Sequence, residues 1–400
     1  MKVGKPHLHD LPISDITTLG AYADQMQLEA EARGETLPPP VRLQIGEPDY
    51  RTPAHIRQAA IESIAHEMQT YSPTAGWPWL RELLAAKIAR VNGYEVKPIN
   101  TVISPGGTGA LLAALLATVG PGDEVLIPDP GWPLYAVQIA VTGATAVHYP
   151  LDPQSEWLPD VKQLEKLVTA RTRVLMINTP GNPTGAVFPR QVISDLLAFA
   201  DRHDLYLLSD ECYDEILFEG EHISPATMLS HDEFEAGRFI GIYTFSKTYA
   251  MTGWRIGYVV ACTQLIKTIT DVLNANFTSI STATQRAAAA ALAGPQDCVA
   301  EMCLGYKARR DHVVALLKEY GRYVYTPHGA FYTLINVRSK SGVSHQGRSF
   351  VLDLIRERNV SVAPGTSFGS VSADYIRISL AASLEELERG IREVCLFANR

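Results

Sequence analysis

The chain has 400 residues, 46% of them hydrophobic and 20% charged, enough for two domains and a large buried core. A formal charge of −8 argues against a nucleic-acid partner, which would need clustered Lys and Arg, and no run approaches the ~18 apolar residues of a membrane span. Met1-Lys2-Val3-Gly4-Lys5-Pro6 lacks the apolar core of a secretory signal, and the cysteines (Cys212, Cys262, Cys298, Cys303, Cys395) are odd in number without close metal-ligand spacing, so a reduced cytoplasmic protein with no metal is expected.

Taken in chain order, Gly34 to Pro40 ends in three prolines, cannot continue a helix and reads as a linker. Between about residues 50 and 290, short β-rich runs alternate with helix-like stretches. The expected strands are Thr101 to Ser104, Glu124 to Ile127, Thr145 to Tyr149, Arg173 to Asn178, Leu205 to Ser209, Phe239 to Phe245 and Ile256 to Ala261. Leu111 to Ala117, Gln191 to His203 and Ile266 to Asn274 are the intervening helices. This is an α/β pattern: a three-layer αβα large domain over residues 50–295 with a mostly parallel, seven-stranded sheet. After it come a helix from Tyr306 to Tyr320, β-like Phe331 to Val337 and Tyr375 to Ser379, and a last helix from Leu384. Residues 1–49 and 296–400 are therefore assigned to an N-terminal arm and a smaller α+β domain.

Ligands of parallel sheets gather at the carboxyl ends of strands, so the residues just after each strand carry most of the information. Thr101 to Ser104 runs into Pro105-Gly106-Gly107-Thr108-Gly109 and a helix, an arrangement suited to an anion or to a plain turn. It is no dinucleotide fingerprint, because Leu112 stands where a third glycine belongs. Leu205 to Ser209 delivers Asp210, which either caps the next turn or holds a proton on a heteroaromatic nitrogen. Thr244-Phe245-Ser246-Lys247 follows another apolar strand, where a desolvated lysine amine can form a Schiff base; an isolated surface lysine is the bland alternative. Arg255, between Gly253 and Gly257, suits a phosphate. Asn182 sits in a Pro- and Gly-rich loop and could offer its amide to a ligand hydroxyl, with Asn182-Pro183 expected cis. Arg377 alternates with apolar neighbours and either faces outward or clamps a carboxylate.

Together these segments resemble the fold-type I pyridoxal-phosphate aminotransferases of class I/II, the aspartate and aromatic aminotransferase group. The motifs appear in the family's order: Gly46-Glu47-Pro48, Tyr71-Ser72-Pro73 with Gly76, Gly106-Gly107-Thr108, Pro130-Gly131-Trp132, Asn182-Pro183-Thr184-Gly185, Asp210-Glu211-x-Tyr213, Ser246-Lys247 with Arg255, and Arg377. The resemblance implies an aspartate aminotransferase-like fold and amino transfer from an L-amino acid to a 2-oxo acid by a ping-pong mechanism. It further implies that Lys247 carries the internal aldimine of pyridoxal 5′-phosphate and shuttles a proton between the substrate Cα and the cofactor C4′. Asp210 would pair with the pyridinium nitrogen, Asn182 and Tyr213 with the ring oxygen, and Trp132 would stack on the ring. Gly107, Thr108, Thr244, Ser246 and Arg255 would hold the phosphate, with Tyr71 reaching it from the other subunit of a homodimer. Arg377, with Gly46, Asn182 and Trp132, would receive the substrate. Thr108 departs from the lysine that bacterial aspartate aminotransferases of this pattern usually carry, which weakens an aspartate preference. Trp77, Trp79 and Phe331-Tyr332 hint instead at an apolar or aromatic substrate or at packing. The rival functions are another reaction on the same cofactor, such as a C–S β-lyase or a synthase eliminating from adenosyl-methionine, and a cofactor-sensing regulator. The ~50 residues before the core are too short and insufficiently basic for that regulator's DNA-binding module.

Overall fold

A computed structural model describes Leu8, Leu11 and residues 15–338 and 347–400, so the N-terminal hexapeptide read above lies outside the described residues. Its main sheet has eight strands: β1 (Thr101–Ser104), β2 (Glu124–Asp129), β3 (Thr145–Asp152), β4 (Leu158–Pro159), β5 (Thr172–Asn178), β6 (Tyr206–Asp210), β7 (Phe239–Thr244) and β8 (Gly257–Ala261). Their spatial order is β1-β8-β7-β6-β5-β2-β3-β4. The seven expected strands are all present; the two-residue β4 is an addition at one edge, antiparallel to β3. The neighbours from β7 through β6, β5 and β2 to β3 are parallel, whereas β8 runs antiparallel to both β7 and β1.

Alternate side chains of a strand point to opposite faces, and here both faces are covered. In β5, Val174 and Met176 join one apolar cluster with Leu111, Ile139 and Ile269, while Leu175 and Ile177 join another with Ile193, Leu196 and Phe199. The helices bearing these residues are Gly106–Thr118, Leu134–Thr142, Thr263–Asn276 and Arg190–Arg202. This is the three-layer arrangement. The helix expected from Leu111 begins earlier, at Gly106, with Pro105 as its N-cap; the glycines read as a turn form its first turn instead.

The strand directions place Ser104, Asp129, Asn178, Asp210 and Thr244, the last residues of β1, β2, β5, β6 and β7, along one edge of the sheet. β8 begins at that edge, with Gly257 opposite both Ser104 and Thr244.

A second sheet pairs Tyr375–Ser379 with Tyr332–Asn336 and Ala363–Pro364, both antiparallel. Helices Asp297–Glu319, Gly347–Arg358 and Leu384–Ala398 cover it. Leu19 and Ala23 of helix Asp15–Ala32, with Val41 and Leu43, pack into the same core as Val313, Leu354, Ile376 and Ile391. Residues 35–40 carry no helix or strand and connect that helix to Val41–Arg42, which pairs with Val360–Ser361. Among the described residues no helix is long and apolar enough to cross a membrane, and no cluster of His, Cys, Asp or Glu could hold a metal ion.

Candidate active site

The strand ends open into a cavity of about 520 Å³. Its walls include Gly46, Gly107, Thr108, Trp132, Asn182, Asp210, Tyr213, Thr244, Ser246, Lys247, Arg255 and Arg377, so the structure gathers every proposed site residue except Tyr71.

One end is built for an anion. Helix Gly106–Thr118 starts at the cavity wall, where the first backbone N–H groups of a helix lack intrahelical partners. Thr244 Oγ1 accepts from Ser246 N at 3.1 Å and lies 2.9 Å from Ser246 Oγ, fixing both hydroxyls beside that terminus. Arg255 has φ 53° and lays its guanidinium against Gly106, where any Cβ would collide with it. Glycine at 106 leaves the arginine in place, and its own φ of 72° favours glycine.

Lys247 follows directly from β7 and points its amine at Gly46 O, 2.7 Å away. Burial is the main cause that lowers its pKa to about 8; Arg377 and Arg255 push the same way, against Cys212 and Glu47. Asp210, at the end of β6, is buried and its pKa is raised, chiefly by desolvation. Oδ1 accepts from Cys212 N at 3.2 Å, so the residue does cap the following turn, but Oδ2 faces elsewhere and accepts from Tyr135 at 2.5 Å. Tyr135 was not singled out from the sequence. The available signal was its position three residues after Trp132, on the first turn of helix Leu134–Thr142, where the two rings meet edge to face with centroids 5.5 Å apart.

At the opposite end Arg377 is buried on its strand. Its guanidinium donates to Asn182 Oδ1 at 3.1 Å and to Gln44 O at 2.5 Å, and packs on the rings of Tyr332 (4.4 Å) and Phe368 (4.9 Å). Nε has no partner among the described residues. An unpaired buried guanidinium donor is costly unless an anion completes it. Asn182 is held by its backbone N–H, which donates to Asn178 Oδ1 at 2.7 Å, and Asn182-Pro183 is cis as expected. Tyr213 bonds the Tyr332 hydroxyl at 2.9 Å, and that hydroxyl lies so close to Gly46 that a Cβ there would strike it. Gln44, Cys212 and Tyr332 also line the cavity; of these the sequence marks only Tyr332 as a candidate for the substrate pocket.

Trp77 and Trp79 do not line the cavity. Trp77 Nε1 donates to Thr282 Oγ1 at 3.3 Å and Trp79 stacks under Arg286 at 4.3 Å, so both serve packing. Phe331 is fully buried behind Tyr332. Tyr71 stands 85% exposed in the single chain.

This cavity suits pyridoxal phosphate on its own chemistry: a glycine-flanked arginine and helix terminus at one end, a desolvated carboxylate for a protonated ring nitrogen, and a depressed lysine amine. At the other end stands the buried Arg377, whose Nε has no partner among the described residues.

Comparison with known proteins agrees. The family model for aminotransferase class I and II matches residues 38–394. A probable aspartate/prephenate aminotransferase of Thermus aquaticus is 35% identical, covering 91% of this chain and 92% of that protein. An aromatic-amino-acid aminotransferase of Thermococcus litoralis is 37% identical, over 88% and 90%. The solved structure of a single mutant of Thermus thermophilus aspartate aminotransferase superimposes with TM-score 0.90 at 34% identity, over 99% of this chain and 100% of that one. With seven of the eight motifs converging on one cavity and the family matched along nearly the whole length, the chain belongs to the class I and II aminotransferases and is a pyridoxal-phosphate-dependent enzyme acting on amino acids and 2-oxo acids.

Proposed function

We propose that Lys247 anchors the cofactor and moves the proton of the transfer step, in a cytoplasmic homodimer acting on L-amino acids with uncharged side chains. The observation that carries the first part is the Lys247 amine, lowered to about 8 in the cavity that also holds Asp210, Arg255 and Arg377. A group titrating near neutrality both accepts and returns a proton at useful rates. When bound, the cofactor supplies an electron sink that weakens the substrate's Cα–H bond. Lys247 Nζ would take that proton and deliver it to the cofactor's C4′. Asp210 would keep the ring nitrogen protonated, and Tyr135 would hold the Asp210 carboxylate in place. Gly107, Thr108, Thr244, Ser246 and Arg255 would grip the phosphate, Trp132 would cover the ring, and Asn182 and Tyr213 would meet its oxygen. Arg377, beside Gly46, would fix the substrate carboxylate and so orient Cα toward Lys247.

Side-chain preference follows from charge. Among the described residues lining the cavity the only Lys or Arg are Lys247, Arg255 and Arg377, each already assigned. Ile16, Ile45, Leu111, Leu134 and Thr108 offer no cation to a second carboxylate, and Glu47 would repel one. Tyr71, with the exposed Ile64 and Met68 nearby in sequence, supports a shared interface. Five cysteines without a disulfide support a reducing compartment. The test is a spectral screen of amino acids against the purified yellow enzyme. Donors with apolar side chains should bleach the visible band at lower concentration than aspartate; a preference for aspartate would overturn the side-chain assignment.

A further inference from the structure

Asp129 lies at the end of β2, immediately before the Pro130-Gly131-Trp132 turn, and is buried. Nothing in the amino-transfer chemistry calls for a carboxylate there, and the residue does not line the cavity. Its side chain instead crosses to the loop that leads into the Arg377 strand. Oδ2 accepts from Ser370 N at 2.9 Å and from Ser370 Oγ at 2.7 Å, and Oδ1 accepts from Val371 N at 3.1 Å. Gly369 has φ 142°, and a Cβ there would strike Asp129 Oδ1, so the loop is shaped to admit the carboxylate. The same two segments are joined a second time, by Gly131 N donating to Phe368 O at 2.8 Å.

Phe368 is the consequential member of this loop. It is buried, and its ring lies 4.9 Å from the Arg377 guanidinium. On the other side of the clasp, three residues from Asp129, Trp132 enters the cavity wall. One carboxylate thus sets the wall that covers the cofactor ring against the aromatic support of the arginine at the other end of the site. The main sheet and the Tyr375–Ser379 strand have no strand pairing between them; Tyr375 packs with Leu126 and Ile177 of the main sheet, and the Asp129 clasp adds a polar tie at the strand ends.

We propose that Asp129 is a positioning residue for substrate recognition: by clasping the Ser370–Val371 backbone it seats Phe368 on Arg377 and registers Arg377 with Trp132. This rests on the assignment of Arg377 to the substrate carboxylate. Losing the clasp lets Phe368 and Arg377 drift relative to the cofactor, which weakens capture of the amino acid more than it slows the chemistry.

The experiment compares the holoenzyme forms of Asp129→Asn, Ser370→Ala and Gly369→Ala with Arg377→Lys. Ser370 is exposed, so its variant retains the fold even if a buried Asp129 change does not. Charge-assisted hydrogen bonds of this kind predict a KM for the amino donor raised about tenfold in Asp129→Asn and about threefold in Ser370→Ala, with kcat changed less than KM. The visible cofactor band should be unchanged. Gly369→Ala should reproduce the Asp129→Asn effect, and the double variant should be no worse than either, because both remove one contact. A lowered melting temperature with KM unaltered in the Asp129 and Ser370 variants, while Arg377→Lys raises KM, would reduce the clasp to a structural tie and overturn the proposal alone. An unaltered KM in Arg377→Lys would overturn the carboxylate assignment and the clasp's role together.

Discussion

The Tyr135 hydroxyl donates a 2.5 Å hydrogen bond to Asp210 Oδ2, and both groups are buried. A carboxylate with one oxygen on Cys212 N and the other on a tyrosine cannot rotate freely, so its direction toward the cavity is set before any ligand arrives. Asp210→Asn should therefore retain cofactor yet lose most of its rate, because an unprotonated ring is a poorer electron sink. Tyr135→Phe should fall between that variant and wild type, by about tenfold in kcat, which is ~1.4 kcal/mol at the transition state. Steady-state kinetics on the two variants check this. Near-normal kcat in Asp210→Asn would leave Asp210 as a capping residue only.

The Lys247 amine gives a pH dependence whose sign is fixed. It must be neutral to attack the cofactor's aldehyde, and in the cofactor-free protein it titrates near 8. Recapture of pyridoxal phosphate by apoenzyme should accelerate as pH rises toward about 8, by about tenfold per unit below that value, and level off above it. Because Arg377 helps to depress this lysine, Arg377→Met should move the inflection upward. Stopped-flow absorbance across pH 6 to 11, an interval of about 5 units spanning the shifted and ordinary lysine values, reads both. An inflection above 10 in the wild type would contradict the desolvated amine.

Tyr71 is 85% exposed in the single chain although its phenol is assigned to a phosphate. Tyr71→Phe should weaken cofactor binding by ~1.5–3 kcal/mol, the worth of a hydrogen bond to a charged group. Lys247→Ala and Tyr71→Ala chains, each strongly impaired alone, should recover about a quarter of wild-type activity when mixed, since half of randomly formed dimers are hybrids with one intact site. No recovery despite demonstrated subunit exchange, or a fully active monomer by light scattering, would remove the shared site.

The strands of the main sheet were legible because each is a short apolar run such as Val174-Leu175-Met176-Ile177, bounded by turn residues. The antiparallel direction of β8 was not, since a strand's direction is decided by its neighbours and leaves no mark in its own residues. In the cavity, Asp210 and Lys247 are marked by the apolar strands they follow and Arg377 by the apolar run it interrupts, while Asn182 and Arg255 stand among Pro and Gly residues. Tyr135 and Gln44 act through one hydroxyl and one backbone carbonyl, on residues whose types also belong in any core or loop. Asp129 ended a strand much as Asp210 did, but its partners lie more than 240 residues away in sequence.

The central claim is that Lys247, among all lysines of the chain, holds the cofactor. Its most direct test is borohydride reduction of the yellow holoenzyme followed by peptide mapping of the phosphopyridoxyl label. The label should fall on Lys247 alone, and Lys247→Ala should be folded, colourless at the cofactor band and inactive. Stoichiometric label on a different lysine, or transaminase turnover by Lys247→Ala at a rate near wild type, would contradict the account.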